Sequence, residues 1–202
     1  MNAILLLIGS ALPLISSGVY VASIVRGDTR PQRMTRFLMM AIGALSFAAL
    51  LAGHDTSGVW LALASFVTAI AMWVASLKRG IGGRERLDLW CLGLCAAGLL
   101  LWLLGGQSMF GLIMSIVADF VACVPSLLKT ARLPHTENLA AYALDAVAGA
   151  CVAVAGKRTP AALAYPLYIA AVNALFAGLI WHRRRKAAFP TDTASDRGIL
   201  EA

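Results

Sequence analysis

Charged residues are scarce in this 202-residue chain: 13% are Asp, Glu, Lys or Arg, whereas 60% are hydrophobic. The mean hydropathy of +0.79 exceeds what a water-soluble core of this size needs. The chain has no Walker or dinucleotide-binding glycine pattern, and its three histidines and four cysteines lack metal-ligand spacing. No nucleophile, base and orienting group stand at readable spacing. The sequence therefore predicts a membrane protein that is not an enzyme and uses no cofactor or metal.

Long apolar runs account for most of the chain. Each is roughly 16–23 residues long, the length that an α-helix needs to cross a hydrocarbon core, and none alternates like a barrel strand. The first run has no basic residue before it and is long for a signal peptide, so we expect it to remain as a helix. We expect an all-α protein with seven transmembrane helices, over residues 3–25, 37–52, 59–77, 87–104, 110–128, 139–155 and 161–181.

The basic residues are distributed unevenly between the loops. If the N-terminus lies outside, 15 of the 17 lysines and arginines fall in cytoplasmic segments, and Lys157 and Arg158 are the two exceptions. By the positive-inside rule, this predicts a multi-pass protein of a bacterial inner membrane, with the C-terminus in the cytoplasm. Contact with the anionic inner leaflet explains the net charge of +7, so no nucleic-acid partner is needed.

An internal repeat is visible when the chain is shifted by 103 residues, the separation of Pro31 and Pro134. The shift also aligns Ser23 with Ser126, and it places the first three apolar runs on the last three. Because an odd number of crossings separates the halves, they enter the membrane in the same direction. We expect two parallel triple-helix bundles joined by a linker helix (3+1+3): residues 1–80, linker 81–106 and residues 107–186, followed by a disordered tail, 187–202.

One segment of the second half, residues 119–142, has a recognisable order: DFVACVPSLLKTARLPHTENLAAY. An acidic residue inside an apolar run is followed by Pro125, by Lys129 and Arg132, and then by Thr-Glu-Asn at a helix start. This order resembles the SWEET and SemiSWEET sugar transporters of the PQ-loop superfamily. The resemblance implies a transporter that moves a small polar solute, most simply a sugar, by alternating access.

The segment departs from that family in two respects. Serine follows Pro125 where the family usually has glutamine, and no tryptophan stands late in helix six, where residues 152–154 are Val-Ala-Val. A Pro31–Gln32 dipeptide does occur, but it lies in the basic loop GDTRPQR. We interpret it as an ordinary turn.

Two carboxylates, Asp119 and Asp145, lie deep in apolar runs that contain no lysine or arginine to neutralise them. Such groups are costly in a membrane unless they face an interior, are neutralised or find partners. Small residues share the helical face of each, so we expect both to point inward. They are candidates for a substrate or proton site. The alternative is that they lock neighbouring helices by hydrogen bonding.

The resemblance also implies that an asparagine in the third helix of each half binds sugar, and Asn173 matches it in the second half only. A helix–helix hydrogen bond is the alternative role. We expect Tyr168 to face the cavity, although an interfacial position would also suit it. Pro125 and Pro13 are candidate hinges, and Pro13 alternatively makes a fixed kink.

Two other functions fit the same sequence. The carboxylates and the missing tryptophan suit a proton-coupled amino acid or amine transporter. The first half lacks the polar features of the second, with Ala22 opposite Pro125 and Ile70 opposite Asn173, which suits a receptor or scaffold that transports nothing. The expected partners are a small solute, the lipid bilayer and a second copy of the chain.

Overall fold

The computed structural model describes residues 3–52, 56–82, 86–105, 109–155 and 160–188. This part of the chain contains seven α-helices, one short 3-10 helix at Pro134–Thr136 and no strand. Each predicted apolar run lies within one helix, so the all-α expectation is confirmed here. The helices are α1 (Ala3–Arg26), α2 (Arg33–Ala52), α3 (Thr56–Arg79), α4 (Arg86–Gly105), α5 (Met109–Arg132), α6 (Leu139–Ala155) and α7 (Pro160–Ala188).

Two segments of the described chain, Ala3–Arg26 and Leu163–Lys186, are helices long and apolar enough to cross a membrane, and Leu139–Ala155 is apolar but shorter. Ala187 and Ala188 still belong to α7, although we had placed them in a disordered tail. The rest of that tail lies outside the described residues. So do Lys157 and Arg158, on which part of the charge argument depends.

The helices pack in the same order in each half of the chain. The third helix of a half contacts the other two: α3 packs against α1 and α2, and α7 packs against α5 and α6. In the described residues, the backbones of α1 and α2 do not approach each other closely, nor do those of α5 and α6. The halves meet through α1 with α6 and through α2 with α5, while α4 packs mainly along α5.

Helix α6 lies between α1 and α7 at very short range. A Cβ atom on Gly149 would lie 2.6 Å from the backbone nitrogen of Ala170 and 2.8 Å from the carbonyl oxygen of Pro166 in α7. On its other side, Ser16 of α1 donates a hydrogen bond of 3.0 Å to the carbonyl oxygen of Ala141. Small residues therefore allow close backbone approach, as in many membrane helix pairs.

The interior is unusually polar and the surface unusually apolar. The buried side chains include two that carry charge and contact each other, Lys129 and Glu137, together with several serines and threonines. Every helix exposes large apolar side chains, for example Leu7, Phe37, Val67, Trp90, Ile113, Val147 and Leu167. A water-soluble monomer rarely exposes apolar surface on this scale.

We expect the substitution Gly149→Ala to destabilise the protein by about 1–3 kcal/mol, because its Cβ meets backbone atoms of α7 that cannot move independently. Gly178→Ala in α7 is the matched control, since nothing lies within 4 Å of its Cβ position. Thermal unfolding in detergent micelles measures both. Equal midpoints for the two variants would contradict the close α6–α7 contact.

Candidate functional site

The loop between α1 and α2 begins with a sharp reversal at the end of α1. The amide of Asp28 donates to the carbonyl oxygen of Ser23 at 3.0 Å, and that of Gly27 donates to Ile24 at 3.0 Å. This is a Schellman motif, and it needs the left-handed conformation that Gly27 adopts, with φ +91°. The side chain of Thr29 then folds back to share a 2.7 Å hydrogen bond with Ser23.

This loop is attached to the chain just beyond α3. The amide of Ile81 donates to the carbonyl oxygen of Pro31 at 3.0 Å, and the carbonyl oxygen of Ile81 accepts from the amide of Arg33 at 3.1 Å. Next to it, Gln32 is buried and donates to the Asp88 carboxylate at 3.0 Å. We call the Pro31–Ile81 contact the first-half clasp.

A corresponding contact occurs in the second half. Arg184 of α7 donates from Nε to the carbonyl oxygen of Pro134 at 3.2 Å and from Nη2 to that of Glu137 at 2.6 Å. Ile81 and Arg184 are 103 residues apart, the same separation as Pro31 and Pro134. This second-half clasp therefore joins the repeat-equivalent positions, although a side chain replaces the backbone amide of the first half.

Between the clasps lies a buried ion pair, Lys129 with Glu137. Their side chains are 6% and 0% exposed, and the Lys129 ammonium donates to Glu137 Oε1. The other carboxylate oxygen, Oε2, accepts from the Tyr20 hydroxyl at 2.8 Å and from the Tyr142 hydroxyl at 3.2 Å. Both oxygens of the carboxylate thus have donors, as a buried charge requires.

Lys129 also connects the two halves of the chain. Its ammonium donates to the carbonyl oxygen of Arg30 at 2.6 Å, and the amide of Arg30 donates to the carbonyl oxygen of Thr136 at 2.9 Å. The loop of the first half is therefore bonded to α5 and to the loop of the second half.

Aromatic rings connect this ion pair to the apolar core. The Tyr142 ring stacks on Phe176 of α7 with centroids 4.5 Å apart, and Tyr20 meets Tyr142 edge to face at 6.1 Å. The Arg36 guanidinium lies 4.3 Å from the centroid of the Tyr20 ring, in cation–π geometry. We call Tyr20, Arg36, Lys129, Glu137 and Tyr142 the buried polar cluster.

The repeat-equivalent position of Lys129 in the first half is very different. Arg26 pairs with Asp28 at 3.4 Å, but the two side chains are 66% and 68% exposed. An exposed pair of this kind contributes little to stability, whereas breaking a buried pair is costly because one charge stays buried alone. The two halves are alike in backbone arrangement and unlike in their electrostatics.

A cavity of about 210 Å³ borders the buried polar cluster at Lys129. Pro125, one of the two predicted hinges, lies in its wall and inside the continuous helix α5. The other, Pro13, is exposed in the continuous helix α1. The cavity is lined by Gln32, Ile81, Gly82, Asp88, Pro125, Leu128, Lys129, Arg132 and Leu133.

The four predicted solute-site residues lie elsewhere, and the structure brings two of them together. The Tyr168 hydroxyl of α7 donates to the Asp119 carboxylate of α5 at 2.5 Å. Asp145 lies beside Ser16, at the interface of α6 with α1. The Asn173 amide donates to the carbonyl oxygen of Ile169 in its own helix at 2.9 Å.

Sequence reasoning missed most of the buried polar cluster. The sequence pattern places Lys129 and Glu137 in the segment that resembles the SWEET family, and it assigns no site role to Tyr20 or Arg36. One available signal was the placement of opposite charges at the end of one apolar run and the start of the next. The interpretation of Pro31–Gln32 as an ordinary turn was incomplete, because both residues are buried and bonded to the α3–α4 segment.

Comparisons of the chain with protein-family models, with curated proteins and with solved structures find no match. A functional assignment therefore depends on the sequence pattern and on the geometry of these contacts.

We expect Lys129→Met to lower the free energy of unfolding by about 3–5 kcal/mol, because it removes the cation bonded to the buried Glu137 carboxylate. The double variant with Glu137→Gln should recover much of that loss. Arg26→Met, at the repeat-equivalent exposed position, should change stability by less than about 1 kcal/mol. Denaturant titration in micelles measures all three, and equal effects at the two positions would contradict the assigned burial.

Proposed function

We propose that this chain is a multi-pass transporter of the bacterial inner membrane that moves a small polar solute, most simply a sugar, by alternating access. Its seven helices would all span the membrane, as two parallel triple-helix bundles joined by α4. The N-terminus would lie outside and the C-terminus in the cytoplasm.

The observation that carries the proposal is the pair of clasps. The contact of Pro31 with Ile81 and the contact of Pro134 with Arg184 join equivalent positions of the two halves, since 103 residues separate Pro31 from Pro134 and Ile81 from Arg184. The equal packing order of the helices in the two halves agrees with them. Repeats of this kind, related across a central site, are the usual framework for alternating access.

The distribution of polarity supports a membrane location for the whole bundle. Apolar side chains are exposed on all seven described helices, while the buried positions include charged and hydroxyl side chains. The helix ends and loops near the clasps are also rich in lysine and arginine, which is the pattern expected at a cytoplasmic face.

The buried polar cluster would form the closed inner gate in this arrangement. Tyr20 and Arg36 of the cluster come from the first half, and Lys129, Glu137 and Tyr142 come from the second. Opening this end requires their separation, and Pro125 lies where α5 would bend. The hydrogen bonds that hold the cluster together support a closed inner gate in this conformation.

The solute would bind further from the clasps, near the hydrogen-bonded pair of Asp119 and Tyr168. Carboxylate and hydroxyl groups suit the hydroxyls of a sugar. Asp145 and Asn173 would complete the site, with Asn173 exchanging the hydrogen bond to its own helix for one to the solute.

A proton-coupled transporter of amino acids or amines is a second candidate. It is favoured by the environment of Asp119, whose hydrogen-bond partner is a neutral tyrosine and not a lysine or arginine. A carboxyl group in such surroundings can take up a proton or receive a cationic amine.

The receptor or scaffold alternative is favoured instead by the exposed, weak Arg26–Asp28 pair of the first half, which builds no second buried gate.

Purified protein in liposomes should exchange a labelled sugar, and we expect Tyr168→Phe or Asp119→Asn to slow that exchange roughly tenfold or more, the effect of one lost strong hydrogen bond. The control is Leu175→Ala, at an exposed position of the same helix. The panel includes amino acids and amines, each with and without a pH gradient. Gradient-dependent amine flux would favour the second candidate, and absence of all flux would contradict transport.

A disulfide between the two loops should lock the inner gate. We expect Arg30→Cys with Thr136→Cys, in a background without the native cysteines, to lose flux on oxidation and to regain it on reduction. Pro31→Cys with Ile81→Cys links two positions within the first half and should leave flux unchanged if each half moves as a unit. Normal flux through the fully oxidised cross-half variant would show that this end does not open.

A further inference from the structure

A second cavity, of about 310 Å³, lies at the end of α3. Three of its six lining residues are basic and none is acidic: Gly27, Arg30, Lys78, Arg79, Gly80 and Ile81. The three cationic side chains come from two segments that are almost fifty residues apart in the chain. The tertiary structure has therefore assembled like charges around one concave surface.

The first-half clasp builds this pocket. Lys78 and Arg79 occupy the last turn of α3, and the bond from Ile81 to Pro31 brings Arg30 next to them. Gly27 makes room for the Arg79 guanidinium, which occupies the place where a Cβ on residue 27 would stand. The same glycine that reverses the chain after α1 thus leaves space for Arg79.

The charges of the pocket are not neutralised by the acid that lies nearest in sequence. Asp28 pairs instead with Arg26, and its side chain is 68% exposed. The C-terminal dipole of α3 favours Lys78 and Arg79, but it does not account for Arg30, which comes from another segment. Mutual repulsion of the three cations would be relieved by an anion placed between them.

We propose that this pocket binds a phosphate group. Arginine presents planar paired donors that match phosphate oxygens, and lysine adds a third positive charge. A cavity of this volume accepts a phosphate with part of its ester substituent. The phosphate can belong to an anionic lipid headgroup or to a soluble phosphoryl compound. This binding goes beyond the transport function and does not depend on it.

The test uses the full chain in an uncharged detergent with three probes: dioctanoyl phosphatidylglycerol, dioctanoyl phosphatidylcholine and inorganic phosphate. Binding is followed by native mass spectrometry and by the shift of the thermal midpoint. We expect Arg30→Gln with Arg79→Gln to weaken binding of the anionic probes roughly tenfold or more. Arg183→Gln with Lys186→Gln removes the same charge from exposed positions of α7 and is the control.

Each outcome decides the proposal. Binding of phosphatidylglycerol alone identifies a lipid site, and binding of inorganic phosphate alone identifies a site for soluble phosphoryl compounds; binding of both shows that phosphate itself suffices. Absence of anion binding, equal affinity for phosphatidylcholine, or equal losses in the pocket and control variants would overturn it. If the double variant does not fold, Arg79→Lys keeps the charge but not the paired donors, and it should still weaken binding severalfold.

Discussion

The ion pair between Lys129 and Glu137 is the interaction on which the clasp end of the protein depends, where the α1–α2 and α5–α6 loops meet. Removing two charges from water is so costly that every remaining donor and acceptor of the pair must be satisfied. Tyr20, Tyr142 and the carbonyl oxygen of Arg30 do this. Because these partners belong to both halves, the requirement for pairing also fixes how the halves meet.

The two clasps join positions that a 103-residue shift of the sequence makes equivalent, but they do so with different chemical groups. In the first half the contact with Pro31 is made by the Ile81 backbone, and in the second half the contact with Pro134 is made by the Arg184 side chain. A backbone contact depends little on side-chain identity, whereas the arginine contact depends on one residue. In the second half the ion pair of Lys129 and Glu137 is buried, whereas in the first half the pair of Arg26 and Asp28 is exposed.

Polarity and packing suggest where motion would occur in the proposed transporter. Helix α6 is held to α1 and α7 by glycine contacts that permit little sliding. The polar contacts at the clasp end are directional, and they can be exchanged for water when the end opens. Rearrangement by separation of the loops is therefore easier than rearrangement within the α6 interface.

The sequence alone determined the seven helices, because apolar runs of membrane-spanning length have few other ways to satisfy their backbone groups. It also named Asp119 and Tyr168 as candidate site residues, but not the hydrogen bond between them. It did not reveal the buried polar cluster, since a charged residue in a loop normally lies in water. Only the tertiary structure decided that Glu137 is buried, because its partner Tyr20 lies 117 residues away in the chain. Whether a segment forms a helix depends on its own residues. Whether a charged side chain is buried depends on which distant elements pack over it.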